Sequence, residues 1–425
     1  MYRAGKKLEG DFALLFVVML VIGAGNTALQ SVLPAIGRSL KLPDNLIALA
    51  FSVSALVWVL AAPRWARRSD RTGRRRMVLT GMAGFSVSVL LCGIFLTLGI
   101  DGVIGPVATI GAFIGARVIY GYFGAAAPPA AQAILASRTT REERTKALTL
   151  LASAFGLGTI LGPALAPFFV FPHVGLAGPA YVFSLIGAAV FLFVLTRLSD
   201  DAPGSHAHGA ATSYPSIGGN VSGASVTAAT TDATGQDIRY TDSRILPWLL
   251  VGVVMGHAQA MTGQAMGFLI IDRLGLPPEL AQQSIGIVLM TGAFAALLVQ
   301  WGLIPLLDLK PRALILVGLS LAALGCVVNA LAVTLLGTAC GFALASAGFG
   351  FARPGYTAGS SLAVGPELQN AVAGKVTSVN GASFVLGPTI GVALYEAWHP
   401  LPYLSAAMMC LVLVLYGLRA LRPAD

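Results

Sequence analysis

Charge is what this chain lacks most. Only 11% of its 425 residues are Asp, Glu, Lys or Arg, where soluble domains carry about 25%. None of the eighteen carboxylates falls deep in an apolar run; all lie in loops or near run ends. Cysteine is scarce as well. Cys92, Cys326, Cys340 and Cys410 sit apart inside apolar runs without metal-ligand spacing, so they read as small core residues and no metal site is expected. No short motif supplies a nucleophile or a nucleotide loop, and no soluble domain stands beside the apolar runs, which ranks an enzyme or receptor last. No cofactor is called for.

What is abundant is apolar. Hydrophobic residues make up 56% of the chain, the mean hydropathy is +0.80, and the apolar runs are about 20 residues long, the length of a spanning helix rather than of a barrel strand. The expected class is an all-α integral membrane protein in a lipid bilayer. Twelve spans are placed near 13–36, 46–63, 77–99, 107–136, 147–170, 177–196, 245–270, 283–304, 313–334, 336–361, 371–394 and 403–421. The short basic segment from Met1 to Asp11 leads into a run too long for a signal peptide, so the first span is expected to be uncleaved.

The net charge of +9 is a matter of topology and gives no reason to expect nucleic acid. With the N-terminus inside, the cytoplasmic segments hold 22 of the 27 Lys and Arg, and the other side holds only Arg38, Lys41 and Arg273. Basic residues are retained on the cytoplasmic side, so both termini are expected there, in the cell inner membrane. Seven of the basic residues lie between Arg64 and Arg76, six of them in the loop Ala66-Arg-Arg-Ser-Asp70-Arg71-Thr-Gly73-Arg74-Arg75-Arg76.

A Gly/Ser/Ala/Thr-rich segment, residues 200–243, divides an N-terminal six-helix bundle (1–199) from a C-terminal one (244–425). Too poor in large apolar residues to build a core, it is expected to be a flexible cytoplasmic linker that packs on neither half. Its His206 and His208 are too few for a metal site. Across it, Pro129, Gly156, Gly162 and Pro163 recur 225 positions later as Pro354, Gly381, Gly387 and Pro388. Four matches at one offset make the halves parallel repeats.

These features together resemble the major facilitator superfamily, and the twelve-span drug:proton antiporters within it. Asp70-Arg71-Thr-Gly73-Arg74-Arg75 is similar to the family's signature loop, with Ala66 in place of its leading Gly. Arg117-Val-Ile-Tyr-Gly121 is similar to its buried-arginine motif. Gly156-Leu-Gly158-Thr-Ile-Leu-Gly162-Pro163 is similar to the antiporters' Gly-Pro motif, although Ala164, Leu165 and Ala166 replace the trailing glycine pair. The resemblance implies a gating role for the loop at Asp70 and helix sealing by the Gly-Pro motif, with Gly387 and Pro388 its repeat partners. It also implies a central cavity lined by spans one, four, seven and ten.

Polar residues inside a bilayer are expensive and are site candidates by default. Asn26 and Gln30 share a face of span one. Arg117 and Tyr120 lie in span four. His257, Met261 and Gln264 form a stripe in span seven, Phe349, Arg353 and Tyr356 another in span ten, and Asn380 lies in span eleven. Many antiporters of this kind carry an Asp where this chain has Asn26, so the usual carboxylate carrier is missing. His257, as an imidazole, and Glu396, as a carboxylate, are the candidate proton carriers. The expected function is proton-coupled export of a small organic molecule by a monomer working through alternating access. The alternative is import or facilitation of an organic anion. Unpaired arginine at Arg353 favours an anionic or zwitterionic substrate.

Overall fold

The computed structural model describes residues 2–199, 210, 212–217, 226 and 237–421, without the side chains of 2–9, 69–72, 141, 142 and 279. The side chains of Asp70 and Arg71, and linker residues 200–209 with His206 and His208, therefore lie outside the description. Twelve long helices account for nearly all the rest. They are α1 (Tyr2–Ser39), α2 (Asp44–Thr72), α3 (Arg74–Ile100), α4 (Pro106–Arg138), α5 (Arg141–Leu165) and α6 (Gly178–Arg197). After the linker come α7 (Leu246–Leu274), α8 (Pro278–Leu297, extended by a π turn), α9 (Pro311–Leu331), α10 (Leu335–Leu362), α11 (Gln369–Ala397) and α12 (Leu401–Ala420). In lipid only such internally bonded segments satisfy every backbone group.

Eleven of the described helices are both long and apolar enough to cross a membrane. The twelfth, α7, has the length but carries His257, Gln259, Thr262 and Gln264 along its middle. A helix that polar persists at bilayer depth only where neighbours shield it, and α7 is buried almost throughout its second half. The protein is a multi-pass integral membrane protein.

Packing repeats at the same interval as the sequence. In the first half α1 runs against α5, α3 against α4 and α3 against α6; in the second, α7 runs against α11, α9 against α10 and α9 against α12. Glycine makes the first pair close. A methyl placed on Gly158 would stand 2.2 Å from the Leu20 carbonyl oxygen, and one on Gly162 would stand 2.2 Å from that of Ala24. The repeat partner Gly387 faces Ala260 of α7 in the same way, at 2.6 Å. The glycines thus join helices, with Pro163 and Pro388 inside the same two helices. Gly156 instead faces a cleft described below.

The halves do not touch evenly. One buried apolar cluster runs without a break from the first half into the ends of α7, α8, α10 and α11 farthest from the basic loop, through residues such as Phe268, Leu269, Ile285, Phe342 and Tyr395. The inner portions of α7, α9, α10 and α11 form a separate cluster confined to the second half. The halves therefore meet at the end opposite the basic loop and part toward the basic end.

Gly162→Leu should force α1 and α5 apart, because backbone cannot yield as a flexible side chain can. Overpacking costs about 1–3 kcal/mol, so a fall in melting temperature of at least about 3 °C is expected in detergent. Gly111→Leu, where nothing lies within 4 Å, is the control and should melt with the wild type.

Candidate functional site

Between the halves the polar candidates converge on two guanidinium groups. Arg117 projects from α4 and is fully buried. Its Nη2 donates to the Asn26 side-chain oxygen on α1 and to the Tyr214 hydroxyl. Its planar face lies 4.5 Å from the Tyr120 ring centroid and 5.2 Å from that of Phe51. Arg353 on α10 is buried too. It donates to the side-chain oxygens of Gln259 on α7 and Asn380 on α11, the latter at 3.5 Å, and lies 5.9 Å from the Phe384 ring. Among the described residues neither arginine has a carboxylate ion pair. Their charges are met by amide oxygens, a phenol and aromatic faces.

A polar seam joins the two clusters. Gln30 on α1 donates through Nε2 to Gln264 on α7 at 2.8 Å, a direct buried bond between the halves. Beside it a narrow cleft of about 40 Å³ is walled by Gly156, Pro163, Gln259, Phe349 and Arg353, with Ile217 of the linker. Tyr356 is buried against Gly252.

The linker does not behave as its composition predicts. Thr212 to Ile217 are all buried inside this cavity. Trp58 Nε1–H donates to the Thr212 carbonyl at 2.8 Å, Asn26 donates through its amide to the Pro215 carbonyl, and the Ile217 N–H donates to Gln30 Oε1 at 2.9 Å. The expectation that the linker packs on neither half is corrected for these residues. The reason is local: one tyrosine, one proline and one isoleucine stand close together amid small residues, enough apolar surface to dock though too little to build a core. Further on, Asp237 pairs with Lys375 of α11 at 3.0 Å, which holds the Asp237 carboxyl below its usual range.

Other candidates lie elsewhere. His257 is half-buried, its Nδ1 2.8 Å from the Val253 carbonyl. Met261 is buried against Gly391 of α11. Glu396 sits at the outer end of α11 and accepts hydrogen bonds from the Asn45 backbone and amide, so it bridges the halves rather than facing the cavity. In the basic loop, Gly73 takes φ +91° between α2 and α3, a conformation that favours glycine. Arg74 is buried and donates to the Ala133 carbonyl on α4; Arg75 donates to the Leu195 carbonyl on α6.

Several site residues were not anticipated from the chain. Gln259 is about 200° around α7 from His257, on the face that the stripe reading set aside. Trp58 reads as core in any apolar run. At the outer end, Arg38 of α1 binds Asp44 of α2 at 2.8 Å and Asp272 of α7 at 2.9 Å. The Tyr395 hydroxyl donates to Asp272 at 2.7 Å, and the His399 ring stacks on Tyr395 at 4.6 Å. Ser52 and Thr389 bond across α2 and α11 at 2.8 Å. This lock ties the halves shut at the end where they already touch.

Two six-helix sets thus enclose a mid-depth polar cavity that is shut at one end. The chain belongs to the Major Facilitator Superfamily, whose family model matches residues 15–388. It is 30% identical over 184 residues to Multidrug resistance protein 2 of Bacillus subtilis, covering 43% of this chain and 42% of that one. It is 26% identical over 193 residues to the class B Tetracycline resistance protein of Escherichia coli, covering 44% of each. These matches span less than half the length of each relative. Among solved structures, the nucleoside transporter NupG superposes with a TM-score of 0.71 at 12% identity, over 97% of this chain and 100% of that one. The human organic anion transporter MFSD10 does so with a TM-score of 0.63 at 17% identity, over 96% and 99%. At such identities the two structures share the fold.

Asp272→Asn should loosen the outer lock. The pair is partly exposed, Arg38 by 34% and Asp272 by 19%, and such pairs are worth about 1 kcal/mol or less. Spin labels at Lys41→Cys and Leu276→Cys, in a Cys340→Ser background, should report a two- to fivefold rise in the longer-distance population. An unchanged distance distribution would count against a locking role.

Proposed function

We propose that this protein exports a small organic molecule across the inner membrane by alternating access, with the basic end and both termini in the cytoplasm. The two halves, 1–199 and 244–425, rock about the central cavity, and the form described here is open toward the cytoplasm. The observation that carries the substrate class is the pair of buried arginines without a carboxylate partner. Burying an isolated arginine at mid-bilayer costs about 2.5–3.5 kcal/mol on insertion scales, and amide oxygens offset only part of it. An anion or zwitterion bearing a carboxylate supplies what they lack. Export rather than import rests on the efflux relatives and the Gly-Pro packing of α1 on α5. Proton coupling falls to His257, whose Nδ1 is engaged by the Val253 carbonyl, leaving Nε2 to take the proton.

A second reading, import or facilitated passage of an organic anion by the same cavity, is favoured by one observation. Asn26 occupies the cavity where an exporter of this type uses a carboxylate, and it is committed to Arg117 and to the linker.

In proteoliposomes, flux of the anion 2-naphthoate should exceed that of tetraphenylphosphonium, and Arg353→Ala should lower it at least tenfold. Preference for the permanent cation, unchanged in the variant, would overturn the anionic reading. Flux that rises when a pH gradient is imposed, and ceases to respond in His257→Ala, supports coupling; indifference to the gradient removes it.

A further inference from the structure

The Thr212–Ile217 segment is read by the cavity group by group, as a ligand is. The Tyr214 ring stands in an aromatic box, 5.8 Å from Trp58 and 6.0 Å from Tyr120, both roughly edge-on to it. Its hydroxyl meets Arg117 and also donates to Asn26 Oδ1 at 3.2 Å. Backbone groups on either side are bonded by Trp58, Asn26 and Gln30. Ile217 reaches the second half, its carbonyl oxygen lying nearest to Gly263 of α7. Pro215 fixes one φ and so lowers the cost of ordering the segment. Just before it, the Ala210 N–H donates to Gln132 Oε1 at 3.2 Å.

The fit is incomplete in a way that points to another occupant. Among the described residues, buried Arg117 keeps Nε and Nη1 without hydrogen-bond partners, and the buried Tyr120 hydroxyl also has none. Tyr214 offers one oxygen to a guanidinium that can bind two in parallel. A carboxylate on an aromatic ring offers both oxygens from the same position, with the ring in the same box. We propose that Trp58, Tyr120, Asn26 and Arg117 form a subsite for aromatic acids, and that Thr212–Ile217 is a tethered competitor which the substrate displaces. This rests on the anionic reading of the cavity and adds to it the ring, the subsite and the linker's regulatory part. Because the tether lies between both halves, its departure also frees them to move, so loading and release of the cavity become one event.

The test uses the full chain in lipid nanodiscs and 2-naphthoate as the probe. Replacing residues 212–217 by Gly/Ser of equal length should tighten 2-naphthoate binding at least tenfold, and Tyr214→Ala should tighten it in the same direction by less. Equal affinity in all three proteins would overturn the competitor. Hydrogen exchange gives a readout independent of binding. In the wild type the Ile217 amide should exchange at least a hundredfold more slowly than in a free peptide, and saturating 2-naphthoate should abolish that protection. Exchange at the free-peptide rate in the wild type would overturn the docked segment itself. If 2-naphthoate binds wild type and replaced protein alike, and Arg353→Ala weakens both, the anionic cavity stands and the tethered competitor falls. If the replaced protein binds tetraphenylphosphonium and not 2-naphthoate, both fall together.

Discussion

Two positive charges held inside an apolar bundle without a carboxylate set the terms for the rest of this structure. Arg117 and Arg353 cannot be neutralised, because guanidinium does not lose its proton in proteins. Each must be surrounded by oxygen and by π faces, and the cavity's composition follows. Asn26, Gln259 and Asn380 supply amide oxygens; Phe51, Tyr120 and Phe384 supply ring faces. These partners come from α1, α2, α4, α7 and α11, so the positions of several helices depend on satisfying two side chains. Hydrogen bonds to a charged group are worth about 1.5–3 kcal/mol each, enough to offset a buried arginine only when several act together.

The helices must then be brought close enough to deliver those groups and still move as two bodies. Glycine in α5 lets α1 lie against it with backbone nearly touching backbone, which makes the first half a rigid unit. The same device joins α7 and α11 in the second. Between the units the contacts among the described residues are of another kind: the Arg38–Asp272 ion pair, the Asn45–Glu396, Gln30–Gln264 and Ser52–Thr389 hydrogen bonds, and an apolar seam at the end away from the basic loop. Each of the polar ones is individually weak, as the proposed rocking of the two halves requires.

Much of this is legible in the chain, for physical reasons. Span length follows from bilayer thickness, and the recurrence of Gly162 as Gly387 at one offset marks helix pairs that pack closely, since glycine leaves no side chain between them. Arg117, Asn26, Gln30 and Arg353 announce themselves because polar groups at that depth are costly. The illegible parts depend on distance or phase. Nothing local ties Arg38 to Asp272, 234 positions apart. Gln259 was passed over because a single stripe was chosen on α7, although that helix faces neighbours on several sides. The linker was misjudged for a different reason. Composition was averaged over some forty residues, yet Thr212–Ile217 dock between the halves and Ala210 and Asp237 bond to helices, and an average cannot show clusters that small.

That difference matters for how the cavity is understood. A wholly solvated tether would influence the halves only through its length, and the cavity's selectivity would belong to the helices alone. A tether that docks places a peptide carbonyl, a phenol and an isoleucine among groups that otherwise meet only substrate. Its local concentration in the cavity is high, on the millimolar scale typical of short flexible connections, and does not change with conditions outside. A substrate then faces a constant internal rival, and only ligands that engage Arg117 better than one phenolic oxygen can win. Selectivity for doubly coordinating anions thus needs no narrower pocket. On the proposal above it would arise from competition with the protein's own chain, on an arginine that this chain leaves incompletely bonded.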